Sequence, residues 1–101
     1  MLRYYRKETE PFRKWFLKLR DQRAHACIRK RIELLRKEGY FGDYKLLGGG
    51  ISELRIDYGP GYRVYYTERN GMIILLLAGG DKSTQERDIV KARKLAKEWT
   101  E

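Results

Sequence analysis

Apolar residues recur along this chain with two different periods. In "TEPFRKWFLKLRD", Phe12, Trp15, Phe16 and Leu19 fall at i, i+3, i+4 and i+7, the single apolar stripe of an amphipathic helix. Thr9 or Glu10 precedes that helix, and Pro11 falls in its first turn, where a missing N–H costs nothing. Asp21 can cap a second helix, "RAHACIRKRIELLRKEG", which places Ala24, Cys27, Ile28, Ile32 and Leu35 together and stops at Gly39. The tight connection predicts a helical hairpin, following a short opening segment, "LRYY".

The period then changes from that of a helix to that of a strand. Leu54, Ile56 and Tyr58 alternate with Glu53, Arg55 and Asp57, and Tyr62, Val64 and Tyr66 alternate with Arg63, Tyr65 and Thr67. Gly59-Pro60-Gly61 reads as a three-residue hairpin loop, and Asn70-Gly71 is a strong two-residue turn signal. The run from Met72 is apolar on both faces, which suits a central strand covered on both sides. In the last, helical segment Ser83 and Glu86 have capping-box spacing, and Ile89, Ala92, Ala96 and Trp99 line one side. The predicted fold is α+β: one domain over residues 1–101, with an N-terminal helical hairpin on a sheet of three or four antiparallel strands and a C-terminal helix.

Hairpin register can be read from the same pattern. Pairing Tyr58 with Tyr62 sets Ile56 against Val64 and Leu54 against Tyr66, so all six share one side; a one-residue slip would separate them. The other side then carries Arg55, Asp57, Arg63, Tyr65 and Thr67. A two-residue turn at Asn70-Gly71 brings Tyr65 opposite Leu76 and Arg63 opposite Ala78. Arg55, Arg63, Tyr65, Asp81 and Lys82 would converge there, with Ala78, Gly79 and Gly80 leaving room above them.

Charge gives that patch a meaning. The 101 residues hold 23 Lys and Arg against 14 Asp and Glu, a net charge of +9, which favours polyanionic partners: RNA, DNA or an anionic membrane surface. With 42% apolar and 13% aromatic residues the chain can build a core. His25 and Cys27 are the chain's one histidine and one cysteine, too few for a zinc site or a disulfide, and no metal or other cofactor is expected. The N-terminus lacks the apolar core of a signal peptide, and the run from Met72 to Ala78 is too short to span a bilayer. A reducing, cytoplasmic location without membrane contact follows as an expectation.

The stretch "AGGDKSTQ", at a strand-to-helix junction, invites a phosphate. It is not a P-loop: Asp81, not glycine, precedes Lys82, and the first glycine of that motif is missing. The triplet Gly48–Gly50 is not followed by a helix and reads as a turn. A nucleic-acid phosphodiester fits better. Arginine presents a bidentate fork, a helix N-terminus adds free N–H groups, and Tyr65 could stack on a base. Cleaving RNA by transesterification needs a base for the 2′-OH, cations for the extra charge and an acid for the 5′-oxygen. Singly, each residue has a plainer role. Arg55 and Asp57 suit an exposed strand face, Ser83 suits a cap, and Asp81 could pair with Arg63 or Lys82. Trp15, Trp99, Tyr58, Tyr62 and Tyr66 suit a core, and His25 and Cys27 suit helix packing.

"GDYKLLGGGISELRIDYGPGYRVYY" followed by "LLLAGGDKSTQERDIVKA" resembles the RelE/ParE toxin superfamily, and within it the HigB-like addiction module killer proteins. The resemblance runs from Phe12 and Trp15 to the last helix. It implies a microbial RNase-like α+β fold and the toxin of a type II toxin–antitoxin system, an mRNA endoribonuclease acting without metal at the ribosomal A site. The arginine of "GYR" falls on Arg63, the strand base before the hairpin on Arg55, and the basic residue after the last strand on Lys82. Members often carry a tyrosine or histidine in or near the last helix. This chain has neither after Tyr66, so Gln85, Asp81 or Lys82 must stand in. The expected catalytic set is Arg63, Lys82, Arg55 and Asp81, with Lys45, Tyr65 and Gln85 on the RNA. The implied partners are a helix-turn-helix, HigA-like antitoxin, the ribosome and mRNA. A ParE-like gyrase poison and a non-catalytic RNA-binding domain are the alternatives. Arg63→Ala is expected to abolish activity and leave the fold intact.

Overall fold

A computed structural model describes residues 3–100 of the chain; Leu2 of the opening "LRYY" lies outside the described residues. The elements run β1 (Tyr5–Glu8), α1 (Glu10–Lys18), α2 (Gln22–Glu38), β2 (Tyr44–Gly48), β3 (Ile51–Ile56), β4 (Tyr62–Arg69), β5 (Ile73–Asp81), a 3₁₀ turn (Lys82–Thr84) and α3 (Gln85–Glu98). They form a five-stranded sheet in the order β1-β5-β4-β3-β2. The α+β class matches the expectation, while the sheet is five-stranded and mixed where three or four antiparallel strands are expected, and a strand precedes the first helix. The sheet gains an edge strand, β1, paired parallel to β5 from Tyr5↔Ile73 to Glu8↔Leu76. Nothing local marks "YRKE" as a strand, since its ladder partner lies far along the chain. Its charged residues suit a protected edge.

The helix signals are the ones the sequence carries. The Thr9 hydroxyl accepts from the Phe12 N–H at 3.1 Å and donates to the Leu77 carbonyl at 2.6 Å, so one residue both caps α1 and ties it to β5. Asp21 accepts from the N–H groups of Arg23 and Ala24, and Gly39 closes α2 in the left-handed region at φ 67°. His25 holds the connection: its Nε2 meets the Leu19 carbonyl at 2.5 Å and its ring stands edge-on to Phe16. Cys27 is half-buried against the core.

Two cores follow from the sheet's two faces. On one, Phe12, Ile28, Ile32 and Leu35 of α1 and α2 pack on Leu54, Ile56, Val64, Tyr66, Ile74 and Leu76. On the other, Ala92 of α3, with Ile89, Leu95, Ala96 and Trp99, packs on Ile51, Tyr65, Leu75, Leu77 and Ala78. The face expected to be polar and open is therefore covered by α3 over much of its area. This is why Glu53, Arg63, Tyr65 and Thr67 are all buried.

Register differs by two residues in the first hairpin. The ladder pairs Ile56 with Tyr62, Arg55 with Arg63 and Leu54 with Val64, leaving Asp57 to Gly61 as the loop. Tyr58 leaves the ladder because its hydroxyl donates to the Asp21 carboxylate at 2.8 Å, a strap from the loop to the start of α2. A shift of two preserves the face of every side chain, so the core assignments survive. In the second hairpin Asn70 and Gly71 make the expected turn, both at positive φ, with the Met72 N–H on the Arg69 carbonyl at 3.2 Å. The ladder then starts at Arg69↔Ile73, and an irregularity between Tyr65 and Tyr66 adds a second offset. Tyr65 thus opposes Ala78, and Arg63 opposes Gly80, not Leu76 and Ala78 as the simple turn implies. Among the described residues, no helix is long and apolar enough to cross a membrane.

Candidate nucleic-acid interface

The β3–β4 ladder sets Arg55 directly opposite Arg63. Lys82 comes to the same place from the end of β5, its aliphatic stem lying across Gly61: a Cβ there would meet Lys82 Cγ, Cδ and Cε at 3.1 to 3.4 Å. Gly61 also sits at φ 80°, so both the turn and the lysine stem call for glycine. The three cations line one concavity of about 380 Å³. Ile56 and the Gly59–Gly61 turn help line it, and Asp43 and Asp57 bring two carboxylates to it.

Each arginine is held by a different acid. Arg55 Nε and Nη2 both lie 3.1 Å from Asp43 Oδ1, in a pair open to solvent. The backbone beneath is fixed by Arg31 of α2, which donates to the carbonyls of Arg55 at 2.7 Å and of Phe41 and Asp43 at 3.0 Å. Arg63 is different: its side chain is 10% exposed, and its Nε lies 3.4 Å from Oε1 of a fully buried Glu53. Gln85 Nε2 donates to the same Oε1 at 2.8 Å. Beside them, the Thr84 hydroxyl donates to Oδ2 of the buried Asp88 at 2.5 Å. Burial, with the negative charges of Glu53 and Asp88, pushes the Tyr65 phenol well above its ordinary range.

The glycine pair in "AGGDKST" makes room for protein, not for a ligand. A Cβ on Gly79 would strike the Trp15 ring from the α1 side. A Cβ on Gly80 would strike the Asp88 carboxylate and the Thr84 hydroxyl from the α3 side. One glycine thus serves each face of the sheet.

Arg55, Arg63 and Lys82 are the expected residues that the fold brings together. Asp81 is turned away: its Oδ1 accepts from the Ser83 N–H at 2.8 Å and the Ser83 hydroxyl at 2.5 Å. It caps the 3₁₀ turn, in place of the expected Ser83–Glu86 box, and pairs with neither Arg63 nor Lys82. Tyr65 is 0% exposed and presents no ring face for a base. The Gln85 amide is taken up by Glu53. Lys45 is exposed on the edge strand β2, opposite Glu53 in the ladder and outside the concavity. Sequence reasoning missed Glu53, Asp88 and Arg31. The apolar run "MIILLL" held the signal for the first two: a strand buried on both faces needs a layer on each, so polar residues sharing the α3 face are covered too.

Chemically, the lining of the concavity brings together two guanidinium groups, one of them largely buried, an ammonium and carboxylates. Such a set can grip a phosphodiester, offset charge that develops on it and exchange protons with it.

No protein-family model matches the chain. An uncharacterized protein of Haemophilus influenzae is 52% identical to it over 92 residues, spanning 91% of this chain and 92% of that one, and the chain belongs to the same family as that protein. In three dimensions it is similar to a mutant of the Escherichia coli toxin RelE solved in the free state, with a TM-score of 0.75 and 19% identity, covering 93% of this chain and 97% of the other. The fold is RelE-like.

Proposed function

We propose that this chain is the toxin of a type II toxin–antitoxin pair, an mRNA endoribonuclease of the HigB-like kind that cuts without a metal on the ribosome and so inhibits translation. The observation that carries this reading is the convergence of Arg55, Arg63 and Lys82 on one concavity, within a RelE-like fold of net charge +9. Its partners are mRNA, the ribosome and an antitoxin, the last a helix-turn-helix, HigA-like protein; its place of action is the cytoplasm.

In this reading the scissile phosphate sits between the arginines. The 2′-oxygen loses its proton and bonds to phosphorus, and the bond from phosphorus to the 5′-oxygen breaks. Arg55 and Arg63 stabilise the added charge, and Lys82 protonates the departing 5′-oxygen. Asp57, on the rim, has no hydrogen bond or ion pair among the described residues and accepts the 2′-proton. Asp81 and Gln85 are spent on the fold. Lys45 lies outside as a phosphate contact that adds affinity without chemistry.

Controlled expression in bacteria tests the reading. Growth arrest with rapid loss of translation, and with gyrase supercoiling unchanged, is the expected result. Arrest with supercoiling lost and mRNA intact would assign a gyrase poison instead. No arrest would leave a binding domain.

A further inference from the structure

We propose that Glu53 is the positioning residue that aims Arg63 at the phosphate. Glu53 is 0% exposed, and a buried carboxylate is retained only where charge and hydrogen bonds compensate it. Its Oε1 accepts a hydrogen bond from Gln85 Nε2 at 2.8 Å and faces the Arg63 charge with Nε at 3.4 Å, while Oε2 has no hydrogen-bond partner among the described residues. Three elements, β3, β4 and the first turn of α3, therefore meet on one oxygen.

The consequence lies in which nitrogen faces the carboxylate. Glu53 faces Nε across the ion pair at 3.4 Å with no hydrogen bond between them, and no hydrogen bond from either terminal nitrogen of Arg63 reaches a protein acceptor among the described residues. The two Nη groups form the outer edge of the fork, the edge that grips a phosphate bidentately. Arg63 also stands opposite Arg55 and lines the same concavity as Lys82. Left to repulsion alone, its guanidinium would swing away from both. A carboxylate fixed from below counters that and holds the fork in the wall of the concavity. Asp43 holds Arg55 by two hydrogen bonds of 3.1 Å in a pair open to water, whereas the Arg63–Glu53 pair is enclosed by protein, so Arg63 is the arginine whose position the surrounding packing fixes.

This inference rests on the phosphodiester reading of the concavity, and the test separates the two. The Nε–Hε signals of ¹⁵N-arginine-labelled protein would be recorded with and without a short oligouridylate, for wild type, Glu53→Gln and Gln85→Ala. Arg63→Lys assigns the Arg63 signal by its disappearance. In wild type, Arg63 Hε is expected to be dispersed and to exchange with water far more slowly than Arg55 Hε. In folded Glu53→Gln it should lose that dispersion, and oligouridylate affinity should fall about tenfold, the loss of one oriented charge-assisted contact. Gln85→Ala, which keeps the carboxylate, should retain the Arg63 signal and most of the affinity.

A folded Glu53→Gln with an unchanged Arg63 signal and unchanged affinity would overturn the proposal. If Glu53→Gln does not fold, wild type decides: an Arg63 Hε that exchanges as fast as that of Arg55 overturns it, and a protected one upholds it. If Arg63 is protected by Glu53 but oligouridylate moves neither arginine, the aiming contact stands and the phosphodiester reading fails.

Discussion

Arg55 and Arg63 face each other across adjacent strands, and each is bound to its own carboxylate, Asp43 for Arg55 and Glu53 for Arg63. Glu53 within the ladder and Asp43 just before β2 thus offset two cations that would otherwise repel. The two pairs differ in setting: Arg55–Asp43 is in water and Arg63–Glu53 is not.

That difference predicts opposite behaviour on truncation. Arg55→Ala breaks an exposed pair, which costs at most about 1 kcal/mol of stability. Its effect should appear instead in RNA binding, as a salt dependence shallower by about one counterion. Urea denaturation and binding across a salt series check both; a strongly destabilised Arg55→Ala would contradict the exposed-pair assignment.

Arg63→Ala should not leave the fold intact, contrary to what the sequence pattern alone suggests. It strands Glu53 as a buried, uncompensated charge, and breaking such a pair costs about 3–5 kcal/mol. Arg63→Lys keeps a cation within reach and should be far more stable while losing the fork. Comparing the two midpoints tests this, and equal stability for Arg63→Ala and wild type would show that the Glu53 pair carries nothing.

Gly79→Ala and Gly80→Ala should each destabilise by about 1–3 kcal/mol through overpacking, for different reasons. The first meets Trp15 and the second meets Asp88. Combining Gly79→Ala with Trp15→Leu should recover part of the loss, whereas Gly80→Ala with Trp15→Leu should not. Equal rescue of both, read from thermal midpoints, would contradict the two-faced reading.

Alkali supplies a separate check on the two cores. Tyr66, 3% exposed, has its phenol pushed up to about 12 by burial; Tyr65 is raised still further. A phenol in the unfolded chain titrates near 10, so between those values the folded state keeps protons that the unfolded state has lost. The stability these groups contribute is full below about pH 10 and drains away as pH rises through the folded values. Urea midpoints should therefore be flat up to about pH 9 and fall steeply above 10, with a shallower fall in Tyr66→Phe. Midpoints that stay flat to pH 12 would contradict it.

Helices and caps were legible because their signals are local. Thr9, Pro11, Asp21 and Gly39 act within a turn of where they stand. The faces of β3 and β4 were legible because a period of two survives a register error of two. The register itself was not, since Tyr58 is drawn off by Asp21, 37 residues away. Strand β1 was hidden for the same reason, its partner being β5. At the site, Arg55, Arg63 and Lys82 could be placed because hairpin geometry alone brings them together. The roles of Tyr65, Gln85 and Asp81 could not, because they depend on where α3 lies. That helix covers Tyr65, turns Gln85 onto Glu53 and takes Asp81 as the cap of the turn leading into it.

The most direct test of the central claim is primer-extension mapping of a defined mRNA on programmed 70S ribosomes, without added metal, comparing wild type with the stable variants Arg55→Ala and Lys82→Ala. Cuts confined to the A-site codon with wild type, and weakened at least tenfold in both variants, are the predicted result. An intact mRNA with folded, growth-arresting wild-type protein would contradict it.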